Sequence, residues 1–135
     1  MKLVDVIKDI QLSLHYSSIN SGGCIHFAYY LSKQLTERKI KHRVVGLVHS
    51  HLDLSGVQEI GCKHVVIYIP RIGYVDSESI RKTTREFPYF SFKAMTLDID
   101  LDLFRNKKVW NRVYKRSYNS TISRVINSKF QNLTK

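Results

Sequence analysis

One stretch decides the fold: Lys63-His-Val-Val-Ile-Tyr-Ile-Pro-Arg-Ile-Gly-Tyr-Val-Asp-Ser77. Its β-branched and aromatic residues run up to Pro70, which cannot donate to a ladder, so the pattern predicts a strand over Lys63–Ile69. The short turn after it predicts that Tyr74–Ser77 returns antiparallel as a hairpin partner. Upstream, Arg43–His49 has period-two spacing and predicts another strand. Together these segments indicate a small antiparallel sheet.

Two helices are predicted before the sheet. Residues 2–14 place apolar side chains at helical spacing, with charged residues between them. A polar, glycine-ended loop over 16–23 then leads into a second helix, Cys24–Lys39. One face of this helix is expected to pack on the sheet, and it carries Cys24, Phe27, Ala28, Leu31 and Leu35.

The remaining segments complete the prediction of a single α+β domain over residues 1–135. His49–Gly61 is expected to be a loop, Ser77–Arg85 a short helix or a loop, and Phe87–Leu97 a further strand. A basic C-terminal helical extension over 98–135 ends the chain. Its apolar stripe advances in steps of four through Trp110, Tyr114, Tyr118, Ile122, Ile126 and Phe130.

Composition excludes several classes of protein. The chain is 43% hydrophobic and 24% charged, which excludes a fibrous or wholly disordered protein. No apolar run approaches the length of a membrane span, and charged residues interrupt the N-terminal segment, so neither a membrane partner nor a secretory signal is expected. A cytoplasmic location follows by default. There Cys24 and Cys62 are expected to be reduced thiols rather than a disulfide.

The segment Asn20-Ser-Gly-Gly-Cys24 carries the most chemical information. A thiol in the first turn of a helix lies at the positive end of the helix dipole, which lowers a thiol pKa and favours thiolate. Gly22 and Gly23 leave room for a substrate backbone, and their N–H groups could stabilise an oxyanion. Asn20 is either a further oxyanion donor or a helix cap. The alternative reading of Cys24 is a small, inert core residue.

A reactive cysteine needs a base and a group that orients the base. His64 begins the strongest strand, and Asp76 ends the next one. Counting back from the turn brings Asp76 level with Ile67 or Val66, so a bulge, a register offset or sheet twist must bring it to His64. Strand parity does place the two side chains on one face.

The order of these residues resembles that in the transglutaminase-like and papain-like cysteine superfamily, which includes compact phage and bacterial members. The likeness covers about residues 16–80 and rests on Gly22-Gly-Cys24, the helix after it, His64-Val65 and Val75-Asp76. It implies that Cys24 is the nucleophile, His64 the general base and Asp76 the orienting carboxylate. It also implies a hydrolase or acyltransferase acting on an amide, ester or thioester of a protein, a peptide or a small acyl compound. No cofactor is expected.

A metal site is a competing interpretation. His49-Ser-His51-Leu-Asp53 superficially matches the start of a metallo-hydrolase motif, and Cys62 and His64 are zinc-compatible ligand types. The motif is short, and the chain lacks the length and the later ligands that such hydrolases need. The sequence therefore predicts no metal.

Charge supports a second class of function. Lys and Arg number 22 against 11 Asp and Glu, and nine basic residues but no acidic one follow Phe104. Such a surface attracts nucleic acid, anionic lipid or an acidic protein. The alternative function is thus a non-catalytic phage or bacterial accessory protein that binds nucleic acid or an acidic protein. The residues predicted to bind polyanions are Lys108, Arg112, Lys115 and Arg116. The aromatic rings of the same segment step by four, which favours a packed face over base stacking. The oligomeric state stays open.

Overall fold

A computed structural model describes residues 1–15, 24–52, 58–86, 94–99 and 118–134. The described helices are α1 (Leu3–Ser13), α2 (Cys24–Glu37) and α3 (Tyr118–Phe130), with a short 3-10 helix at Thr84–Glu86. The five strands are β1 (Arg43–Leu52), β2 (Gln58–Ile69), β3 (Gly73–Val75), β4 (Ile80–Arg81) and β5 (Ala94–Ile99). They form one antiparallel sheet in the order β4-β3-β2-β1-β5, so the α+β prediction is confirmed.

The three helices cover one face of the sheet because each has an apolar stripe. The shared core takes residues from every helix and from β1, β2 and β3. In α2 the predicted face is confirmed, since Phe27, Ala28, Leu31 and Leu35 are buried there. In α3 the predicted steps of four are confirmed over the buried positions Ile122, Ile126 and Phe130. No helix in the described parts of the chain combines the length and apolar character needed to cross a membrane.

The opposite face of the sheet has a smaller apolar cluster. Val45, Leu47 and Val66 are buried there, and Tyr68 and Tyr74 pack against them. These residues alternate along β1 and β2 with those that face the helices, as the two-residue period of a strand requires.

The hairpin between β2 and β3 has a specific backbone. The Ile72 N–H donates to the Ile69 carbonyl at 3.0 Å, with Pro70 second in the turn and Arg71 third at φ 72°. Proline second and a positive φ third are what a type II turn requires. Gly73 follows at φ 121°, where a Cβ would lie 2.6 Å from the Arg81 carbonyl oxygen. Only glycine therefore allows β4 to pair so closely here.

Several predicted boundaries are wrong. The expected loop His49–Gly61 is mostly strand, because β1 continues to Leu52 and β2 begins at Gln58. Pairing between the two strand backbones extends this hairpin through polar residues. Their sequence does not alternate between apolar and polar side chains, so it does not predict a strand. The segment Ser77–Arg85 contains the two-residue strand β4, which is too short to leave a pattern in sequence.

The C-terminal half differs from its prediction in a similar way. The strand β5 extends to Ile99, so the first residues of the predicted helical extension 98–135 pair with β1 instead. Residues 87–93 and 100–117, including Trp110 and Tyr114, lie outside the described residues.

Candidate active site

Cys24, His64 and Asp76 come together at one end of the sheet. Cys24 is the first residue of α2, His64 lies on β2, and Asp76 directly follows β3. His64 Nε2 lies 2.8 Å from Asp76 Oδ2. The Cys24 side chain is a hydrogen-bond partner of the same imidazole. The three side chains therefore form a continuous thiol–imidazole–carboxylate line.

The sheet register explains how Asp76 reaches His64. Val75 is paired with Ile67, which brings Asp76 level with Val66, two positions from His64. Diagonal neighbours on adjacent strands are about 7–8 Å apart, within reach of long side chains. On the other side of β2, Leu47 pairs with His64 and Val48 with Cys62, so Lys63 is the extra residue of a bulge. Bulges redirect the side chains beside them, which is one of the distortions that the sequence required.

A turn holds the Asp76 carboxylate. Its Oδ1 accepts the N–H groups of Glu78 and Ser79 at 2.9 and 2.7 Å, and the Ser79 hydroxyl at 3.1 Å. Oδ2 is thereby left facing His64. Burial opposes ionisation of Asp76, but the bonds from His64 and from the backbone N–H groups outweigh it and lower its pKa.

Gln11 of α1 is a positioning residue that sequence reasoning missed. Its Nε2 donates to the carbonyl oxygens of Asp76 and Ser79, both at 2.9 Å. The backbone closes the same turn, since the Asp76 N–H donates to the Ser79 carbonyl at 3.1 Å. One signal was available: Gln11 lies between Ile7 and Leu14 on the apolar stripe of α1, where a polar residue needs a partner.

The environment of His64 favours the imidazolium. Burial alone would lower the pKa of His64, but hydrogen bonds to Asp76 and Cys24, with negative charge on both, raise it to about 9. An imidazolium has two N–H donors. Because Nε2 faces Asp76, Nδ1 is the ring nitrogen that can face the thiol. Near neutral pH a positively charged ring therefore lies between the Cys24 side chain and the negative Asp76 carboxylate.

Of the three side chains in this site, only that of Cys24 is partly accessible to solvent. His64 is 1% exposed and Asp76 3%, whereas Cys24, which carries a reduced thiol, is half-buried. The helix dipole adds positive potential at Cys24, because the first N–H groups of α2 point toward it. The arrangement can present a thiolate to an incoming electrophile and keep the proton-carrying groups away from water.

The structure does not test the other predicted site residues. Asn20, Gly22 and Gly23 lie outside the described residues, as does the predicted polyanion site of Lys108, Arg112, Lys115 and Arg116. Those roles stay predictions. The backbone of Cys62 pairs with Val48, and its side chain is outside the description.

The metal interpretation concerns residues on the long hairpin. His49 and His51 lie on β1, while Asp53 falls outside the described residues. Within the described ranges, no group of three or more His, Cys, Asp or Glu is placed to hold a metal ion.

Comparison with known proteins finds no family model, no curated protein and no solved structure that matches this chain.

Proposed function

We propose that this protein is a small cysteine-dependent hydrolase or acyltransferase. The observation that carries the proposal is the line of Cys24, His64 and Asp76, in which a buried imidazole of raised pKa links a half-buried thiol to an ionised carboxylate. A nucleophile, a base within reach and a third group that orients the base are the features of covalent catalysis at a carbonyl. The resemblance to the transglutaminase-like and papain-like superfamily rests on the same three residues and is part of this proposal.

The first half of the reaction forms an acyl-enzyme. The Cys24 thiolate attacks the carbonyl carbon of an amide, ester or thioester, and the carbonyl electron pair moves to oxygen. As the tetrahedral intermediate collapses, the bond to the leaving group breaks, and His64 donates its proton to that group. The product is a thioester on Cys24 and a neutral imidazole. Asp76 holds the ring in line and favours its charged form before the attack.

The second half releases the acyl group. Neutral His64 takes a proton from water or from an amine, which then attacks the thioester carbonyl. The thiolate leaves, and the imidazolium is restored with no net gain or loss of protons. Water as acceptor gives hydrolysis, and an amine gives transfer. The N–H groups at the start of α2 are the expected donors to the oxyanion, together with Asn20, Gly22 and Gly23.

Thiol reactivity tests the nucleophile. Near pH 6 an ordinary thiol with a pKa of about 8.5 is almost wholly protonated, so iodoacetamide should label Cys24 well before Cys62. Peptide mapping by mass spectrometry separates the two, and the Cys62→Ala variant leaves Cys24 as the sole target. Labelling of Cys62 first, or at equal rates, would overturn the proposal.

Acyl donors test the reaction. The protein is incubated with fluorogenic peptide amides, aryl esters and alkyl thioesters, each with and without a primary amine. Intact-mass measurement should detect an acyl adduct on Cys24 that is absent in Cys24→Ala. A product ratio that shifts to the amide when amine is added identifies a transferase, and an unchanged ratio identifies a hydrolase. A Cys24 that alkylates rapidly yet forms no adduct with any donor class would count against acyl chemistry.

A further inference from the structure

A row of four side chains crosses the sheet at Tyr68, four residues after His64 on β2, or about 13 Å along the strand. Arg43 on β1 is paired with Tyr68 on β2, Tyr68 with Tyr74 on β3, and Tyr74 with Arg81 on β4. Residues directly opposite each other in an antiparallel sheet project from the same face. The four therefore form one row, Arg-Tyr-Tyr-Arg, which spans three inter-strand spacings, or about 14 Å.

Among the described residues, this row lies on the face of the sheet that α1, α2 and α3 do not cover. Tyr68 and Tyr74 pack on the small cluster of Val45, Leu47 and Val66, and both tyrosines remain half-buried rather than buried. Their ring centroids are 4.8 Å apart with planes tilted by 50°. The apolar cluster beneath fixes the two rings, so they present a stacking surface that needs little ordering.

Cations flank the rings at both ends of the row. The Arg43 guanidinium lies 4.7 Å from the centroid of the Tyr68 ring, and Arg43 is exposed. The Arg81 guanidinium donates to the Ser79 hydroxyl at 3.1 Å and to the Glu86 carbonyl, which fixes its position at the edge strand. Arg71 is exposed at the tip of the adjoining turn.

The acidic groups nearby are few in the described part of the chain. Glu86 is exposed, and its carboxylate accepts the Lys82 N–H at 3.2 Å, while Glu78 is exposed on the turn after β3. Asp98 is paired with Val45 and so falls on the same face, while Asp76, two residues after Tyr74, is bonded to His64. The basic residues on or beside the row number four, Arg43, Arg71, Arg81 and Lys82. Because His64 offsets Asp76, the remaining balance of charge on this part of the surface is positive, in agreement with the net charge of +11 for the whole chain.

We propose that the Arg-Tyr-Tyr-Arg row binds single-stranded nucleic acid. Proteins that bind single strands combine aromatic side chains, on which bases stack, with cations that follow the phosphates. Antiparallel sheets that carry such rings on an uncovered face are one established solution. Here Tyr68 and Tyr74 supply the stacking surface, and Arg43, Arg71 and Arg81 supply the phosphate contacts. An acidic protein would use the cations but leaves the paired rings without a role. This binding site is independent of the chemistry proposed for Cys24.

The rings give the sharpest test. Full-length protein is titrated into fluorescein-labelled single-stranded DNA and RNA of about 16 nucleotides, and anisotropy is measured. The variant Tyr68→Leu/Tyr74→Leu keeps the apolar contacts but removes the stacking surface, and should bind at least about tenfold more weakly, since stacking contributes about 1–3 kcal/mol per base. The matched control Tyr68→Phe/Tyr74→Phe keeps both rings and should bind within about twofold of wild type, because stacking survives loss of the hydroxyls.

The cations are tested by salt dependence. Affinity is measured between about 50 and 200 mM salt for Arg43→Gln and for Lys8→Gln, an exposed charge on α1. Loss of one phosphate contact should reduce the slope of log affinity against log salt by about 0.7 for Arg43→Gln, with no change for Lys8→Gln. This measurement stands even where a tyrosine variant fails to fold, which thermal unfolding detects.

Three results would overturn the proposal. One is no binding of either single strand at the lower salt. Another is equal binding by the Leu, Phe and wild-type proteins, with duplex DNA or heparin competing fully, since this identifies charge alone. The third is tight binding of poly-glutamate that depends on Arg43 but not on the rings, since this identifies an acidic protein partner.

Discussion

Two histidines in this fold each contact a side chain of α2 on one ring nitrogen and a hydrogen-bond acceptor on the other. Only at one of them, His64, is the α2 side chain partly exposed to solvent. His64 joins Cys24 to the Asp76 carboxylate at the start of α2. His42 joins Ser32 to a backbone carbonyl: its Nε2 lies 2.8 Å from Ser32 Oγ, and its Nδ1 donates to the Ile40 carbonyl at 2.8 Å. On connectivity alone, both are lines of nucleophile, imidazole and acceptor.

Access, charge and helix position separate the two sites. Ser32 is fully buried in the ninth position of α2, whereas Cys24 is half-buried at its first position, where the dipole favours an anion. A carbonyl is neutral, so it orients His42 without favouring a charged ring, while the Asp76 carboxylate does both for His64. A nucleophile–histidine line alone therefore does not indicate catalysis: the nucleophile must also be accessible to a substrate, and here a charged third group further favours the imidazolium.

The largest expected effect separates the two nucleophiles. Iodoacetamide labelling on the α2 thiol near pH 6 should vanish in Cys24→Ala, fall by about two orders of magnitude in His64→Gln, and stay unchanged in Ser32→Ala. The His64 variant reverts Cys24 toward an ordinary thiol, which at that pH is almost wholly protonated. Quantitative mass spectrometry of the Cys24 peptide measures all three. An equal loss of Cys24 labelling in Ser32→Ala and His64→Gln would mean that His64 has no special effect on the thiol.

Asp76→Asn should be nearly as damaging as His64→Gln. The amide oxygen can still accept the N–H groups of Glu78 and Ser79, which leaves the amide nitrogen facing His64. That nitrogen only donates, so it stabilises the ring tautomer whose other nitrogen carries the proton and cannot act as base toward Cys24. We expect at least about a 100-fold loss of acyl transfer with native-like circular dichroism. Turnover within about threefold of wild type would mean that a neutral acceptor, like that of His42, is sufficient.

The free energy of unfolding should fall more in Ser32→Ala than in Cys24→Ala, the reverse of their effects on labelling. Ser32→Ala removes the hydroxyl partner of a buried imidazole nitrogen, at a cost of about 1–3 kcal/mol in the free energy of unfolding. Cys24→Ala also removes a partner of a buried imidazole, but the His64–Asp76 pair stays intact and the half-buried position of Cys24 lets water replace the thiol, so it should cost less. Urea denaturation near pH 6 compares the two variants. A larger loss for Cys24→Ala would show that the thiol is mainly a packing residue.

The charge on His64 should appear in the pH dependence of stability. In Cys24→Ala the hydrogen bond and the charge of Asp76 still act to raise the folded pKa of His64, against the burial that lowers it, from an unfolded value of about 6.5. A raised folded pKa means that the stabilisation is fully present below about pH 6.5 and is lost as pH rises through the folded pKa, which is about 9 in the intact site. We expect Asp76 to outweigh burial in this variant, so the stability of Cys24→Ala should decline as pH rises above about 6.5.

The control for that decline is the double variant Cys24→Ala/His64→Gln, whose free energy of unfolding should be flatter over the same range. The lowered pKa of Asp76 acts at the other end of the scale: its stabilisation is present above about pH 4 and is lost as pH falls through the folded pKa. Parallel curves for the single and double variants between pH 6.5 and 9 would exclude a charged His64.

The smallest effect is expected at Gln11. Gln11→Met keeps the length of the side chain but removes both hydrogen bonds to the turn of Asp76 and Ser79. We expect about 1 kcal/mol of destabilisation and a several-fold slower labelling of Cys24 near pH 6. A purely structural role would lower stability without changing the pH profile of labelling, so the profile decides between positioning and packing.

The sequence was sufficient for the elements that carry strong periodicity. The two N-terminal helices and the hairpin at Pro70 follow from spacing and turn chemistry, and the count that brought Asp76 level with Ile67 or Val66 is correct. The pairing of Cys24 with His64 and Asp76 was implied by the resemblance, since spacing alone left Asp76 short of His64. Local pattern failed where backbone pairing alone makes structure, as in the polar extension of β1 to Leu52 and in β4. At Gln11 the position on the apolar stripe of α1 signalled a need for a partner, but the partner lies 65 positions away and local pattern could not identify it.

The site is assembled from segments that are far apart in the chain, so it forms only when the protein folds. Gln11, Cys24, His64 and Asp76 belong to α1, α2 and the hairpin, so the charged ring reaches the thiol only when all three have docked. A nascent or partly unfolded chain carries an ordinary thiol with ordinary reactivity. Cooperative folding itself then activates the thiol, and the rate of Cys24 alkylation near pH 6 reports the fraction of molecules that are folded.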